Sequence, residues 1–167
     1  MREKLKVLFV CIGNSCRSPM AEGFGRHYGS DVMLASSAGL SPASIVQPET
    51  VKTLKQRGID ISAIYPKSVY EVPGGPFHII VNMSGQPLPR QIVPAPGGYT
   101  LDWLVHDPIG QSDEIYHNVA EQLSGLVMQL VLKLRASPPS KPSAAPTGQN
   151  PPRRSRLWRE LGDAGQS

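Results

Sequence analysis

At 167 residues, the chain has room for one compact domain with a sizeable core and too little length for two. Its cations are unevenly spread: residues 1–135 carry 12 Lys/Arg against 11 Asp/Glu, whereas residues 136–167 carry 5 against 2, so the main body is near neutral and a nucleic-acid surface is not implied. No run approaches the about eighteen apolar residues of a membrane helix, Met1 to Lys6 alternates charge where a signal peptide would be apolar, and Cys11 and Cys16 share one loop, so a cytoplasmic protein without membrane association or a disulfide framework is expected.

Leu5 to Val10 is a β-branched and aromatic run of strand length that stops at the Gly- and Ser-containing loop Cys11 to Ser18. Pro19 suits the first position of a helix in which Met20, Phe24 and Tyr28 share one face, ended by Gly29. Val32 to Ala35 predicts a short second strand, with a turn-rich stretch from Ser37 to Ser44. Pro48 to Arg57 predicts a helix closed by Gly58, with Val51 and Leu54 inward. Phe77 to Met83 and Tyr99 to Val105 predict two further strands, and the Pro- and Gly-rich span between them predicts one short helix or turn at Leu88 to Ile92. From Asp113, capped by Ser112, the apolar residues Tyr116, Val119, Leu123, Leu126, Val127, Leu130 and Leu134 fall on one helical face.

Strands alternating with helices predict an α/β fold, an open four-stranded parallel sheet flanked by helices, in which ligands collect beyond the carboxyl ends of the strands. Residues 1–135 form the expected domain. Residues 136–167, with prolines at 138, 139, 142, 146, 151 and 152, have the composition of a disordered basic tail. That tail could recruit a partner.

Cys11, Ile12, Gly13, Asn14, Ser15, Cys16 and Arg17 place a thiol and a guanidinium at the two ends of a loop between a strand and a helix. If the loop curls, its backbone N–H groups converge on one point, and the helix adds the positive end of its dipole, which suits a tetrahedral anion. The same field favours the thiolate, the nucleophilic form of cysteine. Arg17 offers a planar fork able to hold two oxygens at once, which a lysine cannot reproduce. Gly13 permits a positive φ, Asn14 tolerates the left-handed region, and Ser18 can donate to the Cys11 sulfur. The loop lacks the Gly-Lys-Ser/Thr ending of a nucleotide-binding loop.

The stretch from Val10 to Glu22 resembles the signature of the low-molecular-weight protein tyrosine phosphatases and of the arsenate reductases that share their fold. The likeness continues through Ser36 to Ser41, Gly58 to Ser62 and Val105 to Pro108. The resemblance implies Cys11 as nucleophile, Arg17 as oxyanion clamp and Asp107 as the general acid that protonates the leaving oxygen. It further implies that Asn14, Ser18 and Ser41 brace the loop, and that Cys16 can form a protective disulfide with Cys11. The substrate it implies is a phosphorylated protein, a small phosphomonoester, or arsenate. No cofactor is called for, and His27, His78, His106 and His117 show no spacing that gathers metal ligands.

Two departures bear on substrate. Ile109 and Gly110 follow Asp107-Pro108 where the eukaryotic phosphatases carry aromatic residues, and Ile45 stands near another aromatic cleft position. Ser84 occupies the place of a second redox cysteine in the resembling arsenate reductases, and no third cysteine exists. The expected activity is therefore phosphomonoester hydrolysis through a phosphocysteine. Arsenate reduction with an external thiol or glutaredoxin is the alternative, and non-catalytic oxyanion binding is the remaining one.

Overall fold

A computed structural model describes residues 3–136. The expectation of a tail therefore lies outside the described residues, save that the last helix runs one residue past the expected boundary, through Ala136. The elements are β1 (Leu5–Cys11), α1 (Arg17–Gly29), β2 (Met33–Gly39), α2 (Pro48–Lys55), β3 (Ile79–Asn82), β4 (Tyr99–Asp102) and α3 (Asp113–Ala136). They build an open four-stranded sheet in the order β2-β1-β3-β4, with every pair parallel. Between β1 and its neighbours the order reverses, and the loop from Cys11 leaves the sheet at that point, where such folds collect ligands.

β1 is central, and its residues 7–11 are all buried, as a strand covered on both faces requires. On one face, Val7 and Phe9 pack with Met20 and Phe24 of α1, Leu54 of α2, and Leu123, Val127 and Leu130 of α3 in the main core. Each such side chain removed from water contributes about 1.5–3 kcal/mol before the entropy of ordering it is subtracted. On the other face, Leu8, Val10 and Ile80 meet Val69 and Phe77, with Leu88 and Ile92 packed on the edge of that cluster.

Several boundaries differ from expectation for identifiable reasons. β2 runs on to Gly39 because Ser36, Ser37 and Ala38 pair with Leu8, Phe9 and Val10; small polar residues carry little strand propensity, and the neighbouring strand decides. α1 begins at Arg17, two residues before Pro19, which its first turn tolerates because N–H groups there have no partner within the helix. α2 ends at Lys55 and closes as a turn through Gly58. β3 and β4 are four residues each, shorter than their apolar runs, and Leu88 to Ile92 holds a turn closed by Ile92 N–H on Pro89 O at 2.9 Å. The Ser112 hydroxyl accepts from Ile115 N–H at 3.4 Å, so the cap of α3 falls where the sequence puts it. Among the described residues no helix is long and apolar enough to cross a membrane.

Candidate active site

The loop after β1 is curled and largely buried: Asn14, Ser15, Cys16, Arg17 and Ser18 are all below a tenth exposed, and only Ile12 turns outward. The left-handed residue that makes the curl is Asn14, at φ 50°. Of the two residues suited to it, Gly13 and Asn14, only Asn14 takes a positive φ. Asn14 earns the strained geometry by bonding on both sides, donating to Ser18 Oγ at 2.8 Å and accepting from the Lys67 main-chain N–H at 3.0 Å.

The outer wall of the curl is the segment following β2. Leu40, Ser41, Ala43 and Gln47 donate their main-chain N–H groups to the carbonyls of Cys11, Ile12, Gly13 and Ser15 at 2.8–3.0 Å. Ser41 thus braces the loop through its backbone, and its side chain is exposed. Gly39 makes this approach sterically open: a Cβ there would lie 2.7 Å from Ile12 O and 2.9 Å from Asn14 N. The carbonyls of Cys11, Ile12, Gly13 and Ser15 are thereby all tied to this wall.

Cys11 Sγ sits 2.8 Å from Ser18 Oγ. Arg17, at the far end of the loop, is 7 % exposed. Its Nη1 donates to Met83 O at 2.8 Å and Val105 O at 3.2 Å, and its Nη2 lies 3.7 Å from Asp107 Oδ2. The half-exposed Asp107 carboxylate also accepts from Ile109 N–H at 3.1 Å. Arg17 and Asp107, ninety positions apart along the chain, therefore meet beside the loop that begins at Cys11. His106 turns away to Gln111, with Nε2 3.0 Å from Oε1.

Cys16 belongs to the hydrophobic core. Burial pushes its thiol from 9.0 up to about 12, against a lowering hydrogen bond with Thr50. Both cysteines are free. A thiol held neutral is a poor nucleophile, so burial does not favour attack by the Cys16 sulfur.

Four contributors to the site escape sequence reasoning. The carbonyls of Met83 and Val105 and the N–H of Lys67 are main-chain groups, which every residue type carries. Thr50, fully buried, donates to Ser15 O at 3.3 Å; its place in the first turn of α2 is the one signal that could have pointed to it. Among the described residues no three His, Cys, Asp or Glu side chains are gathered as metal ligands.

The same arrangement of sequence and fold recurs in known proteins. The family model "Low molecular weight phosphotyrosine protein phosphatase" matches residues 6–139. A glutaredoxin arsenate reductase of Synechocystis sp. is 34% identical over 131 residues, covering 77% of this chain and 98% of that protein. Arsenate reductase 1 of Bacillus cereus is 29% identical over 131 residues, covering 76% and 94%. Among solved structures, an arsenate reductase in the phosphate binding state superposes with a TM-score of 0.71 at 33% identity, covering 79% of this chain and 99% of that one. A low molecular weight protein tyrosine phosphatase from T. tengcongensis does so with a TM-score of 0.60 at 32% identity, covering 78% and 99%. On a match spanning most of its length, the chain belongs to the low molecular weight phosphotyrosine protein phosphatase family.

Proposed function

We propose that this chain hydrolyses phosphomonoesters through a covalent intermediate on Cys11. The observation that carries the proposal is the 3.7 Å approach of Asp107 to Arg17, which brings a carboxyl group to the guanidinium that ends the Cys11 loop. Cys11 Sγ attacks phosphorus, the S–P bond forms as the P–O bond breaks, and Asp107 gives its proton to the departing oxygen. Asp107, now a carboxylate, takes a proton from water, which attacks phosphorus, breaks the S–P bond and returns the thiolate. Loop N–H groups and the Arg17 fork hold the three equatorial oxygens throughout.

The exposed side chains beside the cup are aliphatic: Ile12 on the loop, Ile45 on the segment that braces it, and Ile109 next to Asp107. They offer apolar contact without the stacking an aromatic wall gives a phosphotyrosine ring, which favours small or aliphatic phosphoesters. Turnover of an aryl phosphate in the presence of chelator, abolished in Cys11→Ser, is the test; equal rates in the two proteins exclude the hydrolase.

A second reading, arsenate reduction, is favoured by the names of the relatives above. Cys11 attacks arsenic(V) and water departs with a proton from Asp107. An external thiol then attacks the Cys11 sulfur, arsenic keeps the S–As electron pair and leaves as arsenite, and a further thiol reduces the mixed disulfide on Cys11. The external thiol is required because Cys16 is core-bound and Ser84 is a hydroxyl. Arsenite formed from arsenate with glutathione and glutaredoxin, at a rate exceeding phosphate ester turnover, would give this reading precedence.

A further inference from the structure

Of the two carbonyls that hold Arg17, that of Met83 is the closer, at 2.8 Å against 3.2 Å for Val105. It lies just past the last paired residue of β3, where the chain turns away through Gly85 at φ 76°. Met83 N–H is fixed by Val10 O at 2.7 Å. Nothing in the sheet fixes the next peptide plane, the one that contains the Met83 carbonyl.

That plane is set by side chains. Because the peptide is planar and trans, the Met83 C=O points opposite to the Ser84 N–H, and the Ser84 N–H donates to Asn82 Oδ1 at 3.0 Å. Asn82 Oδ1 is itself held twice over: it accepts from the Ser84 hydroxyl at 2.6 Å, and the Asn82 amide donates through Nδ2 to Gln86 O at 2.7 Å. Gln86 N–H closes the ring on Ser84 Oγ at 3.1 Å. Asn82 and Ser84 are both 6 % exposed.

We infer that Asn82 and Ser84 are positioning residues for the oxyanion clamp: their interlocked side chains orient the Met83 carbonyl, and through it the guanidinium of Arg17. The inference rests on Arg17 gripping an oxyanion and is indifferent to which reaction follows. It gives Ser84 a task that needs a hydroxyl, since a sulfur is a weak donor and a weak acceptor and would not span the same ring.

The test measures anion grip apart from turnover. Ser84→Ala and Asn82→Ala are assayed for affinity toward inorganic phosphate and for the ratio of Cys11 alkylation rates with iodoacetate and iodoacetamide, one anionic and one neutral. Losing one such hydrogen bond corresponds to phosphate affinity about 2- to 12-fold weaker, with the alkylation ratio falling in step. Asn82→Ala removes the acceptor for Ser84 and the donor to Gln86 without introducing a charge, and serves if Ser84→Ala fails to fold. Ser84→Thr, retaining the hydroxyl, is expected to restore both readouts. Variants that melt earlier but keep phosphate affinity and alkylation ratio would show a merely structural knot and overturn the inference. Arg17→Ala is the control on its premise: if phosphate affinity survives that change, the clamp itself is absent and the inference falls with it.

Discussion

The Oγ of Ser18 stands 2.8 Å from both Cys11 Sγ and Asn14 Nδ2. Because Asn14 donates to that oxygen, and the remaining acceptor, Ala38 O, is distant at 3.5 Å, the Ser18 proton is directed at the sulfur. Hydrogen bonds to charged groups contribute about 1.5–3 kcal/mol, so Ser18→Ala is expected to slow both aryl phosphate turnover and iodoacetamide alkylation of Cys11 at neutral pH by about tenfold or more. Unchanged alkylation would remove Ser18 from the stabilisation of the thiolate.

Asp107→Asn removes the transferable proton while keeping the shape of the side chain. For alkyl phosphates, whose leaving groups need protonation, kcat is expected to fall by about 10²–10⁴, and for strongly activated aryl phosphates far less. A series of esters of graded leaving-group acidity reads this as a steeper dependence in the variant. Parallel lines for the two proteins would take the acid role away from Asp107.

Cys16 predicts an alkaline weakness. Its thiol is raised from 9.0 to about 12 in the folded chain by burial, so as pH climbs through that window the unfolded chain gives up its proton and the folded chain does not. Stability contributed by the neutral thiol is complete below about pH 9 and declines as pH rises toward about 12. The Tyr116 phenol, moved from 10.0 to about 12 chiefly by burial, adds to the decline in the same direction. Urea unfolding measured across that range should show a shallower loss in Cys16→Ala than in the unsubstituted protein; identical slopes would refute the assignment.

Gly39→Ala places a methyl carbon against the Ile12 carbonyl and the Asn14 nitrogen, both backbone atoms of the loop. Neither can swing aside as a side chain would, so the wall and the curl must separate, at a cost of about 1–3 kcal/mol. A lower Tm together with weakened phosphate binding is expected. Weakened stability with full phosphate affinity would mean that the curl holds its shape without this wall.

What the sequence disclosed and what it withheld follow a physical division. Elements whose signal lies in side-chain periodicity, such as β1 and α3, were legible, as was the contact of Ser18 with Cys11, because one strand, one loop and one helix start carry both. The approach of Asp107 became legible through resemblance, since nothing local to residue 107 announces Arg17 as its neighbour. Asn14 took the left-handed conformation in place of Gly13 because its amide gains two partners there that a glycine cannot offer. The extension of β2 through Ser37 to Gly39 was invisible because the stabilising partner is β1, not the segment itself. The main-chain groups of Met83, Val105 and Lys67 had no signature at all.

Arg17 is stapled to chain segments that follow β3 and β4, whereas Asp107 rests on a half-exposed loop. The two halves of the chemistry should therefore part company on heating: the guanidinium can leave only when the strand ends come apart, which belongs to global unfolding, while the carboxyl can drift in a small, cheap opening. Warming would then blunt proton delivery well before it loosens the hold on an anion, and amide exchange should be slow at Met83 and Ser84 and fast around Ile109.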